Sequence, residues 1–600
     1  MQKDILNFLQ NDQWKLEGGM IVPAYLTKYM LSALDVAGVV YTTHNEVLGK
    51  RYTQKELEDD LSKLSVEDCI IATSMFLTVL ENEGRVNTNI QISMVQLFFE
   101  GEIRQKVLNV LQREPKRIVF FETQLLLLAK YAILYAKSEP ANNFDERKLF
   151  PIYMRAVLGV TDVLDEKTEG TTEPELQRAA IRSMYFFSRP NLLYSLIRTL
   201  DLFITIPNEL TTQHQYLDIP ALFQEATSLP LETYLFLGLS LTAQLTEQKP
   251  GSFKDGNWCI IPEKYFLQTH FSKDEVALIM QEFSVDIQSL KILYQNQDNF
   301  EYNFNGLVQH PLVTFDKQRF FPLTLSLLKD KITVQVYWIL FDYIKGKYSK
   351  KLHRYTNFMG VCFEEYVYRL LRRVYPSSLV GDRLIKEITY FRGKDEVKTA
   401  DNILINPSSL MLLETKVSQL KVVKTGVVGD LEAFREDVGK IIVDSFITIQ
   451  RTKEDFQRGL LKKDLPVEPK SIRAFYPMVI AYGPFIQFPL VWKIVKEEIT
   501  KLPGYDLELL NNLQIIQADE LEIIEAFLEG SGISLETLIQ KKIADPVYKE
   551  LSFHIYLSKE YRHFMHLRSK YLNQKFDSFA EKLSLTVFDK TITPQGEDEV

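Results

Sequence analysis

Apolar residues over the first 250 positions recur at spacings of three and four, the mark of helices that each bury one stripe. The stretch "VEDCIIATSMFLTVLENEG" from Val66 carries such a stripe and runs into a glycine stop. "FFETQLLLLAKYAILYAK" from Phe120 and "RAAIRSMYFFSRPNLLYSLIRTLDLFI" from Arg178 repeat the pattern. Three segments rich in Pro, Gly and charge, "KSEPANNFDE", "DEKTEGTTEPE" and "TEQKPGSFKDGN", predict loops. Residues 255–350 mix the periods: "FSKDEVALIMQEF" and "VDIQSLKILYQN" predict short helices, and "PLVTFDKQRFFPLT" predicts two strands around Asp316, Lys317 and Gln318. No fixed-period repeat is present.

From residue 351 the pattern changes again. "NFMGVCFEEYVYRLLRRVYP" predicts an amphipathic helix whose stripe is Phe363, Tyr366, Val367, Leu370, Leu371 and Val374, stopped by Pro376. "RLIKEITYF" predicts a strand, "DNILINPSSLMLLETK" (401–416) a hairpin, and residues 430–452 a helix. The strand "FYPMVIAYG", the helix "FPLVWKIVKEEITK" and the short apolar "LQIIQAD" follow, and residues 533–590 read as helical again. The expected architecture is multidomain. A mostly α-helical N-terminal region (1–254) leads through a mixed α/β bridging segment (255–350) to an α/β core (351–530). A helical C-terminal extension (531–600) closes the chain with the acidic tail "QGEDEV".

The hairpin carries candidate chemistry. Asn406, Pro407, Ser408 and Ser409 form a turn cluster. With those four as the loop, Ile405 faces Leu410, and counting outward sets Asp401 opposite Glu414. Directly opposed side chains stand about 5 Å apart at Cβ, where like charges repel. Lys416, two residues past Glu414, shares its face. Two carboxylates this close suit a hard divalent cation that neutralises both. The competing reading is an exposed hairpin end with a solvated Glu–Lys pair.

The apolar fraction of 46% and the charged fraction of 25% are those of an ordinary globular protein. Three dispersed cysteines, Cys69, Cys259 and Cys362, argue against a disulfide framework or a zinc ribbon and fit a reducing cytoplasm. The N-terminus "MQKDILNFLQNDQWKLEGG" has no apolar core of a secretory signal. Neither "VFFETQLLLLAKYAILYA" nor "FYPMVIAYGPFIQFPLVWKIV" is a clean membrane span, the first broken by Glu122, Gln124 and Lys130, the second by three prolines and a glycine. A cytoplasmic protein without a membrane partner is expected. Net charge is −9, but residues 345–424 hold 16 Lys and Arg against 8 Asp and Glu, a local +8 that leaves −17 for the rest. A basic island in an acidic chain predicts a phosphate-backbone footprint, against the alternative of a mixed solvated surface.

The order helix, strand, strand with Asp, strand with Glu-x-Lys, helix, strand resembles the core of the PD-(D/E)xK nucleases, the restriction-endonuclease-like superfamily, over residues 355–525. The resemblance implies that Asp401 and Glu414 hold a divalent metal, Mg²⁺ with Mn²⁺ as substitute, and that the peptide carbonyl of Thr415 joins its shell. Lys416 would position or activate the attacking water. A glutamate of the first helix often completes such sites within an F-E pattern. Phe363-Glu364 matches it, with Glu365 as the rival. A glutamine or lysine on the following helix often joins as well; Gln450 is the first choice and Lys440 the second. The proline that commonly precedes the first acid is Ala400 here, and it carries no chemistry.

The function so implied is a Mg²⁺-dependent DNA endonuclease, of a build that occurs in bacterial defence against phage. The helical half would act as sensor or regulator, with a homo-oligomer or a regulatory protein as further partner. The alternatives are a catalytically silent nuclease-like fold that binds or scaffolds nucleic acid, and an RNA-directed nuclease. No Walker A loop, HExxH or GxSxG occurs, so ATPase, zincin and serine esterase chemistry lack local support. His563 and His566, three apart on an expected helix without accompanying acids or cysteines, read as a surface pair. The aromatic runs Phe120-Phe121, Tyr185-Phe186-Phe187 and Phe320-Phe321 read as core.

Overall fold

The computed structural model describes residues 14–17, 20–23 and 40–587, apart from 84–86, 115, 139–145, 169–171, 186–191, 247–258, 268 and 377–382. Most of the N-terminal stretch, most of the predicted loops 137–146 and 246–257, and the acidic tail lie outside the described residues; of the predicted loop 165–175 only 169–171 do, its flanks being the ends of the helices Glu146–Thr168 and Glu173–Tyr185. The protein is mostly helical with several small sheets. Among the described residues no helix is long and apolar enough to cross a membrane.

Contacts group the chain into two interleaved units rather than four consecutive segments. One unit takes residues 39–169, 219–347 and 575–600. It contains the expected helices Val66–Glu83, Glu122–Tyr135 and Lys273–Phe283, and the expected strands Leu312–Thr314 and Phe320–Pro322 around Lys317, which turns at φ 60°. Lys130, the charge that interrupts the apolar run, is itself buried. Its ammonium donates to the carbonyls of Phe300 and Asn303 among the rings of Tyr294, Phe300 and Phe304.

The other unit takes residues 1–38, 170–218 and 348–574. Residues 170–218 depart from the expected helical half because Ile181 is buried in this unit's core, with Leu176 and Ala180 packed against it, and because polar side chains reach across as well. Arg182 donates to the Val428 carbonyl at 2.9 Å, and Arg198 pairs with Glu522 at 2.7 Å.

The first helix of the core, α1 (Leu352–Val374), buries Tyr355, Phe358, Met359, Cys362, Phe363, Tyr366, Val367, Leu370 and Leu371, alternating steps of three and one. That is a full helical stripe. Next come β1 (Leu384–Lys386) and the short hairpin of β2 (Thr389–Arg392) and β3 (Asp395–Lys398). The predicted single strand 383–391 is therefore two. Its second half leaves the sheet to pair with residues 395–398 across a turn at Gly393, where φ is +70° and glycine is free of Cβ strain. Then follow β4 (Asn402–Ile405), β5 (Ser409–Lys416), α2 (Leu431–Val438), α3 (Asp444–Gln457), β6 (Ala474–Ala481), α4 (Pro489–Thr500), β7 (Gln514–Gln517) and α5 (Ala518–Ser531).

The main sheet has the order β7-β6-β5-β4-β1; β1, β4 and β5 are antiparallel neighbours, and β6 and β7 run parallel to β5. Ile403, Leu410, Leu412, Val479 and Ile515 share one core with Phe434, Val438, Ile442, Phe446 and Ile449 of the α2–α3 segment. Met411, Leu413, Met478 and Ile480, also buried, alternate with them and point to the opposite face. Burial on both faces explains why β5 reads as a continuous apolar run rather than as an alternation. Pro477 is tolerated in β6 because pairing with β7 begins only at Met478.

Candidate active site

The hairpin register is the expected one: Ile405 faces Leu410, and the ladder runs outward to Asn402 opposite Leu413. Asp401 is the next residue out on one strand and Glu414 on the other. On the far side of β4 the pairing of Lys386 with Asn402 continues to Glu387, whose N–H donates to the Asp401 carbonyl at 2.8 Å. Three acids therefore converge at one end of three adjacent strands.

Each acid is held differently. Asp401 Oδ2 accepts from the Thr415 N–H and from Thr415 Oγ1, both at 2.7 Å. In an antiparallel ladder the N–H and C=O of one residue face the same strand edge, so the Thr415 carbonyl lies on the Asp401 side of β5. Glu414 is 6% exposed; its Oε1 accepts from Lys416 Nζ at 3.1 Å, and its Oε2 is buried with no hydrogen-bond partner. Glu364 of α1 has no hydrogen-bond partner among the described residues. Glu365, the rival, is spent on Lys386 at 2.6 Å and Arg369 at 2.8 Å.

The electrostatics follow from burial and crowding. Burial, then the charge of Asp401, pushes the Glu414 carboxyl up to about 8. Burial, then Asp401 and Glu387, pushes Glu364 up to about 7. Asp401 is also raised, by burial above all, against the pull of its two Thr415 hydrogen bonds. Lys416 loses affinity for its proton through burial but gains more from Glu414, Asp401 and Asp444, so its ammonium is held above the usual lysine range. Two ionised acids at such a site repel, and Lys416 offsets that only in part, since Glu414 and Asp401 stay raised beside it.

A divalent cation fits this donor set. Oxygen ligands only, an orphaned buried carboxylate oxygen on Glu414 and mutual repulsion among the acids are what a hard cation relieves. Among the described residues no three His, Cys, Asp or Glu side chains close a metal cage. A cation held by Asp401 and Glu414 would fill its other positions from water and a substrate phosphate, the usual state of protein-bound Mg²⁺.

Gln450 is not brought to the site. Its amide donates to Glu454 at 3.0 Å and to the Gly504 carbonyl at 2.9 Å, and its oxygen accepts from the Asp506 N–H at 3.0 Å. Gln450 lies six residues past Asp444 on α3, which at about 100° per residue sets the two on different faces of that helix. Asp444, the first residue of α3, is the member of that helix whose charge acts on Lys416. Lys440 lies exposed within the π-turn Gly439–Val443 between α2 and α3.

Sequence reasoning missed Glu387, Lys398 and Asp444. The first would have followed from pairing β1 with β4, which sets Glu387 opposite Asp401. Lys398, 2.8 Å from Glu387, acts electrostatically on both Glu364 and Asp401. His563 and His566 are both exposed, and residues 562–564 form a single 3₁₀ turn in place of the expected helix. No family model, no curated protein and no solved structure matches this chain.

Proposed function

We propose that the chain is a metal-dependent nuclease with a restriction-endonuclease-like core, hydrolysing phosphodiester bonds of nucleic acid, with DNA as substrate and cutting within the strand. The observation that carries the reading is the end of the β4–β5 hairpin. Asp401, Glu414 and Lys416 meet there, with a buried Glu414 oxygen left unpartnered. The sheet order β1-β4-β5-β6, antiparallel up to β5 and parallel beyond, supports it, as does the glutamate that α1 contributes.

Asp401, Glu414 and the Thr415 carbonyl would hold the Mg²⁺ or Mn²⁺. When bound, that ion supplies a water of lowered pKa and a clamp on a phosphate oxygen. Lys416, kept charged, is a donor and not a base: its N–H groups can orient the attacking water or a non-bridging phosphate oxygen. Glu364, with its proton exchange near neutral pH, can take up the proton that the water gives. Attack at phosphorus forms one P–O bond and breaks the bond to the leaving oxygen, which takes a proton from solvent water, leaving an alcohol and a phosphate monoester.

The test is cleavage of plasmid, linear duplex, single-stranded DNA and RNA with Mg²⁺, Mn²⁺ or chelator, alongside Asp401→Asn and Lys416→Ala. Cation-dependent cutting lost in both variants is the expected result. Absence of cutting together with absence of cation binding would leave a nucleic-acid-binding fold without chemistry.

A further inference from the structure

The β2–β3 hairpin stands directly before Asp401 in the chain, and its two faces differ. Tyr390, Arg392 and Val397 turn inward: Tyr390 is buried with its hydroxyl donating to Asp455 at 2.6 Å, Arg392 reaches Asp455 at 3.3 Å, and Val397 packs on the core. By alternation Thr389, Phe391, Glu396 and Lys398 share the other face. Phe391 is 67% exposed, and among the described residues no other phenylalanine is comparably bare. A single exposed apolar side chain is ordinary on a protein surface. This one is distinguished by what shares its face.

Phe391 lies opposite Glu396, and Lys398 opposite Thr389, so Phe391 and Lys398 are separated by two residues along the hairpin. That separation is roughly 7 Å, on the scale of one nucleotide step. Lys398 is 62% exposed on its side chain and reaches Glu387, the neighbour of Asp401. Lys394 at the tip is exposed. Glu396 repels a phosphate backbone beside the ring, so the charge pattern steers an anionic strand to the Lys398 end. There it meets the site.

We infer that the outer face of this hairpin is a strand guide, with Phe391 stacking an unpaired base of the nucleic-acid substrate while Lys398 exchanges Glu387 for a backbone phosphate next to the one that is cut. The inference rests on the nuclease reading for its ligand and names residues that reading does not use. Aromatic–base stacking tolerates any sequence, because every base has a π-face. The guide would favour substrates with an unpaired or readily unstacked nucleotide beside the cut.

The test measures binding of the full chain to a single-stranded oligonucleotide and to the blunt duplex of the same sequence, in chelator. Wild type, Phe391→Ala, Phe391→Tyr and Lys398→Ala are compared, and Mg²⁺-dependent cleavage is assayed in parallel. Phe391→Ala should weaken single-strand binding by roughly 5- to 100-fold. Phe391→Tyr should retain it, and Lys398→Ala should lower the salt slope by about one phosphate contact. Cutting by the wild type with binding unchanged in Phe391→Ala would overturn the guide and leave the nuclease standing. A binding loss without cutting on any substrate would keep the guide and remove the catalytic reading. A loss confined to blunt duplex would overturn the stacking of an unpaired base, and no binding by the wild type would overturn the inference outright.

Discussion

Replacing Glu414 by glutamine should make the cation-free protein more stable as pH rises. Glu414 has an ordinary carboxyl pKa of 4.5 in the unfolded chain and about 8 in the fold. Its proton is therefore held more tightly by the folded state. Between those two values folding binds protons, and stability falls as pH climbs through the window. The gap corresponds to on the order of 5 kcal/mol once pH exceeds 8. Glutamine removes that cost. It loses the contact of Lys416 with Glu414 Oε1 at 3.1 Å, which offsets part of the gain. Unfolding midpoints in urea, taken in chelator at pH 5 and pH 9 for both proteins, isolate the effect. The change in packing is common to both pH values and cancels in the double difference. The expected outcome is a pH-dependent gain for Glu414→Gln of about 2–5 kcal/mol over that interval. A difference that stays constant with pH, or that turns against glutamine at pH 9, would refute the buried-carboxylate argument.

Two further outcomes follow from the same geometry. Because the acids must be ionised to take a cation, Mg²⁺ should stabilise the wild type more at pH 9 than at pH 5.5. At 100 times Kd the gain is about 2.7 kcal/mol; thermal shift would read it, and Asp401→Asn should abolish it. In the interior of the same unit, Arg198 and Tyr366 both donate to Glu522 Oε1 at 2.7 Å, and Glu522 is fully buried. Arg198→Ala should cost about 3–5 kcal/mol by stranding that carboxylate. Adding Glu522→Leu should recover part of the loss in the same urea titration.

The hairpin was legible because two signals agreed. A turn cluster at 406–409 pinned the register, and an uninterrupted apolar run marked a strand buried on both faces. At the helix the sequence left Glu364 and Glu365 as rivals; the two differ in the fold because Lys386, from another element, claims Glu365. Non-local pairing hid the rest. Nothing in "RLIKEITYF" announces that its halves pair with different partners, so Glu387 went unseen opposite Asp401. Gln450 was expected at the site from its place on the following helix, but it sits six residues past Asp444 on another face and bonds to Glu454 and Gly504. The helices of 170–218 carry the same apolar period as their neighbours in sequence. What assigns them to the unit of the main sheet is non-local: Ile181 enters its core, Leu176 and Ala180 pack against it, and Arg182 and Arg198 bond across to Val428 and Glu522.

The central claim is that Asp401 and Glu414 hold a cation for phosphodiester cleavage, and the most direct measurement is cutting of plasmid DNA by purified wild type and Asp401→Asn with Mg²⁺ or with chelator. Cutting by the wild type in Mg²⁺, none in chelator, and a loss of at least about 100-fold in Asp401→Asn are expected, the last being the scale for removing a group that organises transition-state charge. Equal cutting by the two proteins, or cutting that persists in chelator, would contradict it.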